Sequence, residues 1–169
     1  MRPQIFSLAI LLILTAYGDG SPSPTQPSSP AGAATTEWLV TQRFVSVSGP
    51  DNCWVREQRA RWAPAIFPNL PMSVTRSGRS ITVEGDFFQV NYAGSLSGRE
   101  FSASGVRPLD GGGTPCQDGT SFQQLPGTSA LSGLFAADDQ AMTATEVNSY
   151  RLTSGEPVIY TWDWQARRR

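Results

Sequence analysis

The chain has 169 residues, among them 13 Arg, 16 Gly and 13 Pro, with no Lys and no His. Chemistry that needs an imidazole or a primary amine is therefore closed: Ser-His and Cys-His nucleophiles, imidazole metal sites, histidine pH switches, Ser-Lys dyads and Schiff bases. Apolar residues at 39% suffice for one modest core, while 16% charged residues and a formal net charge of −1 give no electrostatic footprint for nucleic acid.

Residues 1–18 read as a secretory signal. Arg2 supplies the positive start, and Ile5 to Ala16 is an apolar run too short to span a bilayer. Leu14-Thr15-Ala16-Tyr17-Gly18 resembles the lipobox of bacterial lipoproteins, with Tyr17 where the lipid-bearing Cys would stand. A phenol cannot form the thioether to diacylglycerol. The expectation is therefore an exported product, periplasmic or extracellular, without a lipid anchor and without a transmembrane span. Residues 19–34 carry Pro22, Pro24, Pro27 and Pro30 among small polar residues and read as a flexible tether. Residues 35–169 are then expected to form a single domain.

Leu39 to Ser48 reads as the first strand. From Asn52 to Trp62 the helix formers Arg56 to Arg61 follow a capping Asp51 or Asn52, and Pro64 forbids continuation. A short helix would place Trp54, Val55, Gln58 and Trp62 on one face, over one mouth of a barrel; a strand is the alternative. The two cysteines, Cys53 and Cys116, pair most simply as a disulfide in an exported domain. It would tie the helix to the Gly111-Gly112-Gly113 loop and stabilise by roughly 4 kcal/mol through loop closure.

Beyond residue 70 the chain alternates with period 2. Met72 and Val74, Ile81 and Val83, Phe88, Val90 and Tyr92, then Phe101 and Ala103 are the apolar members of successive strands. Ser77-Gly78 and Ser97-Gly98 are hairpin turns between them. Leu131, Gly133 and Phe135 lead through Asp138-Asp139 into a long strand from Ala141 to Leu152, which turns at Ser154-Gly155 into Val158 to Arg167. In that last strand Val158, Tyr160, Trp162, Trp164 and Ala166 form one face, which must be the inner one. Its aromatic ladder suits closure against the first strand.

About eight antiparallel strands with local hairpins point to an all-β fold: a small up-and-down β-barrel or curled sheet, with one short helix near its N-terminal end. The pattern resembles lipocalin-like and avidin-like barrels. More closely, it resembles small exported bacterial β-domains that end in a Thr-Ala-Thr-Glu-x-x-x-Tyr strand and a Trp-x-Trp strand, here Thr143 to Tyr150 and Trp162 to Trp164. The resemblance implies a fold and no function; the Gly-x-Trp start of lipocalins and the residues of a biotin site are both absent.

The inward face of the long strand does not stay apolar, because Glu146 and Asn148 share it with Met142, Ala144, Tyr150 and Leu152. A buried carboxylate must be paired, hydrogen-bonded or protonated. One reading satisfies Glu146 with Arg43 or Arg76 or with tyrosine hydroxyls. The other makes Glu146, Asn148, Tyr150, Tyr160 and Tyr92 the polar lining of a pocket walled by Trp162 and Trp164. Catalysis is not expected: Asp138 and Asp139 are turn formers, and Asp110 with its glycines lacks the ligand alternation of a calcium loop. Asp118-Gly119-Thr120 reverses the order of an aspartic-protease motif. No catalytic residue, metal or cofactor is expected, and the chain is expected to be a monomer. Two functions compete. The barrel binds a small apolar or amphipathic ligand inside, or a packed core serves an envelope-associated protein-interaction module that acts through its outer surface or residues 106–128.

Overall fold

Alternation turns one face of every strand inward, and a closed cylinder buries all those faces while leaving no sheet edge. The computed structural model describes residues 32–85, 89–108, 116–117 and 119–169. Its elements are β1 (Ala34–Ser48), α1 (Cys53–Trp62), β2 (Ile66–Ser77), β3 (Ser80–Glu84), β4 (Tyr92–Ser97), β5 (Glu100–Arg107), β6 (Gly127–Phe135), β7 (Ala141–Arg151) and β8 (Pro157–Arg168). The strands pair antiparallel in sequence order and β8 closes on β1, giving the all-β up-and-down barrel that the alternation predicts. The expected signal at 1–18, residues 19–31 of the expected tether, Phe88, Asp110, the three glycines at 111–113 and Asp118 lie outside the described residues.

β1 starts at Ala34, five residues before the predicted Leu39, because its first half pairs with β2 from Ala34↔Arg76 onward. It must serve two neighbours along its length, and two irregularities let it coil between them. One lies between Val40 and Gln42, opposite Pro68 and Asn69, where Pro68 has no N–H to give and Asn69 adopts φ 57°. The other lies between Phe44 and Ser46 against β8 and leaves Val45 exposed.

The short hairpins at Gly78, Gly98 and the β6–β7 turn gather at one end of the barrel, where the strand ends Ala34 and Arg168 also lie. Arg76 fastens this end. Its guanidinium donates to both Asp139 carboxylate oxygens at 2.7 and 2.9 Å and stacks 4.1 Å from the Phe135 ring centroid. The long connections gather at the opposite end, with α1 among them. The Asn52 side chain caps α1 by accepting from Val55 N–H at 2.9 Å, and Arg59 and Arg61 in the last turn complement the helix dipole. The helix alternative at 52–62 is the one realised, and Trp54, Val55 and Gln58 are buried as its facing residues predict. Arg59 donates to the Val47 carbonyl, Trp62 packs edge-on against Trp162, and Cys53 is disulfide-bonded to Cys116 with a Cα separation of 5.9 Å.

The inside is asymmetric. β1 and β8 send in Trp38, Phe44, Trp162 and Trp164, while β4, β5 and β6 set the small Ala103, Gly105, Ser129 and Gly133 beside Tyr92, Phe101, Leu131 and Phe135. Large rings fill the space that the small-residue wall vacates. At Gly133 a Cβ would lie 2.6 Å from Phe101 Cζ and 2.4 Å from the Thr143 carbonyl, so only glycine fits. No helix among the described residues is long and apolar enough to cross a membrane.

Candidate interior site

All seven candidate residues project into the barrel. On β7, Glu146, Asn148 and Tyr150 point inward; on β8, Tyr160, Trp162 and Trp164 do; and Tyr92 opens β4. The β7–β8 register sets Glu146 opposite Trp162 and Asn148 opposite Tyr160, so two polar side chains face the middle of the aromatic ladder.

Glu146 is fully buried and its carboxylate receives three donors. Tyr92 Oη donates to Oε1 at 2.7 Å, while Gln42 Nε2 and Trp164 Nε1 donate to Oε2 at 2.5 and 3.1 Å. Tyr92 reaches across from β4 over the small inward residues Ala103, Gly105 and Ser129, beside the larger Leu131 that pairs with Glu146. Its ring also meets Trp164 edge-on, with centroids 6.0 Å apart, which holds both donors in place. Beside them Ser129 Oγ donates to Asn148 Oδ1, and Tyr150 contacts Tyr160 edge-on at 5.8 Å.

Burial pushes the Glu146 carboxyl above its ordinary value, since a charge in the interior has lost its water. Hydrogen bonds from Tyr92 and from the Asn148 amide, the positive charge of Arg107 and the hydrogen bond from Trp164 all oppose that rise. Arg107 is itself buried, with its guanidinium 5.2 Å from the Tyr150 ring centroid. The arginines expected beside Glu146 are elsewhere: Arg43 faces solvent on the outer side of β1, and Arg76 is engaged by Asp139 at the hairpin end. The tyrosine expectation is met by Tyr92.

Three members of the cluster escape the sequence reading: Gln42, Arg107 and Ser129. Parity carries the signal for each. Gln42 follows Trp38 and Val40 on the inner face of β1, Arg107 follows Phe101, Ala103 and Gly105 on β5, and Ser129 precedes Leu131 on β6. Among the described residues, the buried Gln42 Oε1 has no hydrogen-bond partner. Leaving such a group unpaired in the interior costs about 1–3 kcal/mol.

A concavity lies on the outer wall. A groove of about 550 Å³ crosses β5 to β8, edged by Glu100, Ser132, Leu134, Thr145, Asp163 and Gln165. Thr145 donates to Asp163 within it at 3.3 Å.

No family model matches the chain, and no curated protein matches it. Among solved structures, it is similar to a single-residue mutant of the vaccine antigen transferrin binding protein B from Haemophilus parasuis Hp5. The identity is 11% and the TM-score 0.43, over 83% of this chain and 27% of that one, so the chain spans about a quarter of that protein's length.

Proposed function

We propose that this chain is an exported, non-catalytic interaction module: a filled barrel that meets an envelope protein partner through its outer wall. The observation that supports it is the run of ring contacts along the interior. Trp38 meets Phe135, which meets Phe101, at the hairpin end; Tyr92 meets Trp164 in the middle; Trp162 meets Phe44, Phe67 and Trp62 at the α1 end. An eight-stranded barrel is just wide enough for its own side chains to fill. The outer groove gives such a module a place to bind. Its carboxylates, hydroxyls and half-exposed Leu134 suit an extended segment that brings cations and hydrogen-bond donors. A photo-crosslinking residue at Leu134, compared with one at Thr75 on the far wall, tests this in intact cells. A product from Leu134 alone supports the module; none from either site, with the protein exported and folded, sinks it.

The second reading keeps a small apolar or amphipathic ligand inside, against Glu146, Asn148, Tyr150, Tyr160, Trp162, Trp164 and Tyr92. The buried Gln42 Oε1, which has no hydrogen-bond partner among the described residues, favours it. Saturable change of tryptophan fluorescence on titration with fatty acids and alkyl alcohols would support it, and a flat response across the series would remove it.

A further inference from the structure

We propose that the hairpin end of the barrel docks on an anionic membrane surface, its free arginines meeting lipid phosphates. Among the described residues, six arginines stand at this end, Arg76, Arg79, Arg99, Arg167, Arg168 and Arg169, against the carboxylates Glu37, Glu100, Asp138 and Asp139. How these charges are spent matters more than their number. Asp139 is shared by Arg76 and Arg168. Glu37 accepts from the Ser73 hydroxyl, and Asp138 accepts from the Gln140 N–H. The side chains of Arg79, Arg167 and Arg169 are exposed and have no partner among the described residues, and Arg99 reaches only the Phe135 carbonyl, at 3.5 Å. At the α1 end the arginines are engaged instead: Arg56 by Asp51, Arg59 by the Val47 carbonyl, Arg61 by the Trp62 ring, Arg107 by the Tyr150 ring and Arg151 by the Gly155 carbonyl.

The shape of this end selects the kind of partner. Arg79 and Arg99 hold equivalent places in two Ser-Gly turns, each after a glycine at positive φ, 57° and 61°. Successive turns lie two strand spacings apart, about 10 Å. Arg167 and Arg169 stand at the end of β8. Arg76 on β2 reaches Asp139 in the β6–β7 turn, on the opposite side of the cylinder, and lies over the Phe135 ring, so this mouth is closed. The unspent cations therefore sit on a ring of strand tips, which fits a flat array of anions; a peptide would need a groove. A guanidinium grips phosphate through two parallel N–H bonds, and each arginine near an anionic lipid surface strengthens attachment about fivefold. Docking this way stands the barrel on end and leaves the outer groove free. The proposal therefore does not rest on the groove binding a partner.

The test is cosedimentation of the exported chain with vesicles of phosphatidylglycerol in phosphatidylcholine at low salt, compared with vesicles of phosphatidylcholine alone. Arg79→Gln with Arg167→Gln and Arg169→Gln removes three cations that hold nothing in place. Arg56→Gln with Arg61→Gln and Arg151→Gln removes the same charge at the α1 end. All three proteins share one N-terminal segment, so any contribution of residues 1–33 cancels. The wild type is expected to bind the anionic vesicles and to release them at about 1 M salt, where screening is nearly complete. Binding should fall about a hundredfold in the first variant and stay within about threefold in the second. Equal losses in the two variants overturn the proposal, because they show only a general charge effect. Binding to neither vesicle overturns it too, whether or not Leu134 crosslinks to a partner. So does displacement by inorganic phosphate at constant ionic strength, which would mark a discrete phosphate site, or capture of polyglutamate without vesicle binding, which would mark an acidic protein partner.

Discussion

Tyr92 Oη on β4 donates to Glu146 Oε1 on β7 at 2.7 Å, spanning the inside of the barrel between residues 54 positions apart. The bond joins two walls that are not neighbours in the sheet, so it fixes their separation as no backbone ladder can. Tyr92→Phe keeps the ring and its contact with Trp164 but removes the donor. Removing one donor from a buried acceptor costs about 1–3 kcal/mol. The variant is expected to lose about that much stability, read as a lower urea midpoint with an unchanged slope.

Glu146 makes stability depend on pH in an unusual direction for a carboxylate. Its folded-state pKa is raised above the ordinary 4.5, so the folded state binds the proton more tightly than the unfolded chain. The contribution is fully present below the unfolded pKa and is lost as pH rises through the folded value. Glu146→Gln cannot titrate. Relative to that variant, the wild type is expected to weaken steadily as pH rises from about 4, and the difference should level off above the folded pKa. Denaturation midpoints of both proteins across this range measure it; parallel curves would show that Glu146 carries no shift.

The Cys53–Cys116 bond closes a loop of 63 residues and holds α1 to the segment between β5 and β6. Loop-closure entropy puts its contribution at roughly 4 kcal/mol. Cys53→Ser with Cys116→Ser should lower stability by that order. The loss should appear first as faster hydrogen exchange in α1, which otherwise touches the barrel mainly through Trp54, Val55, Arg59 and Trp62. Exchange that rises uniformly over all strands would instead place α1 in the cooperative core.

Two glycines should respond in opposite ways to a side chain. Gly98 sits in the β4–β5 turn at φ +61° with open space around its Cβ direction, and Gly98→Asn is expected to stay within about 1 kcal/mol, since Asn tolerates that backbone region. Gly133 has ordinary backbone but lies against Phe101 and the Thr143 carbonyl. Gly133→Ala is expected to cost about 1–3 kcal/mol through overpacking. Thermal melts of the pair check the contrast, and equal melting points would show that the small-residue wall is not closely packed.

Most strands and their inward faces were legible from the alternation, because the period-2 signal is local and Trp162 and Trp164 each sit between polar residues; the run through Val90 differs, since β4 begins only at Tyr92. The Asn52 cap and Pro64 made α1 legible in the same way. What local pattern cannot carry is distance across a closed sheet. Arg43 and Arg76 were plausible partners for Glu146 by charge, yet parity turns Arg43 outward and the hairpin end claims Arg76 for Asp139.

The sequence by itself determined an all-β chain with one helix, a disulfide pair and a carboxylate facing inward, since each follows from neighbours a few residues apart or from composition. Only the tertiary structure decided that β8 closes on β1 and that Gln42, Tyr92 and Trp164 surround Glu146. The reason is geometric. Gln42 and Tyr92 reach Glu146 from strands two and three places away around the cylinder, and their meeting depends on how strongly β1 coils at its two irregularities and on the inward residues of β5 and β6 between them.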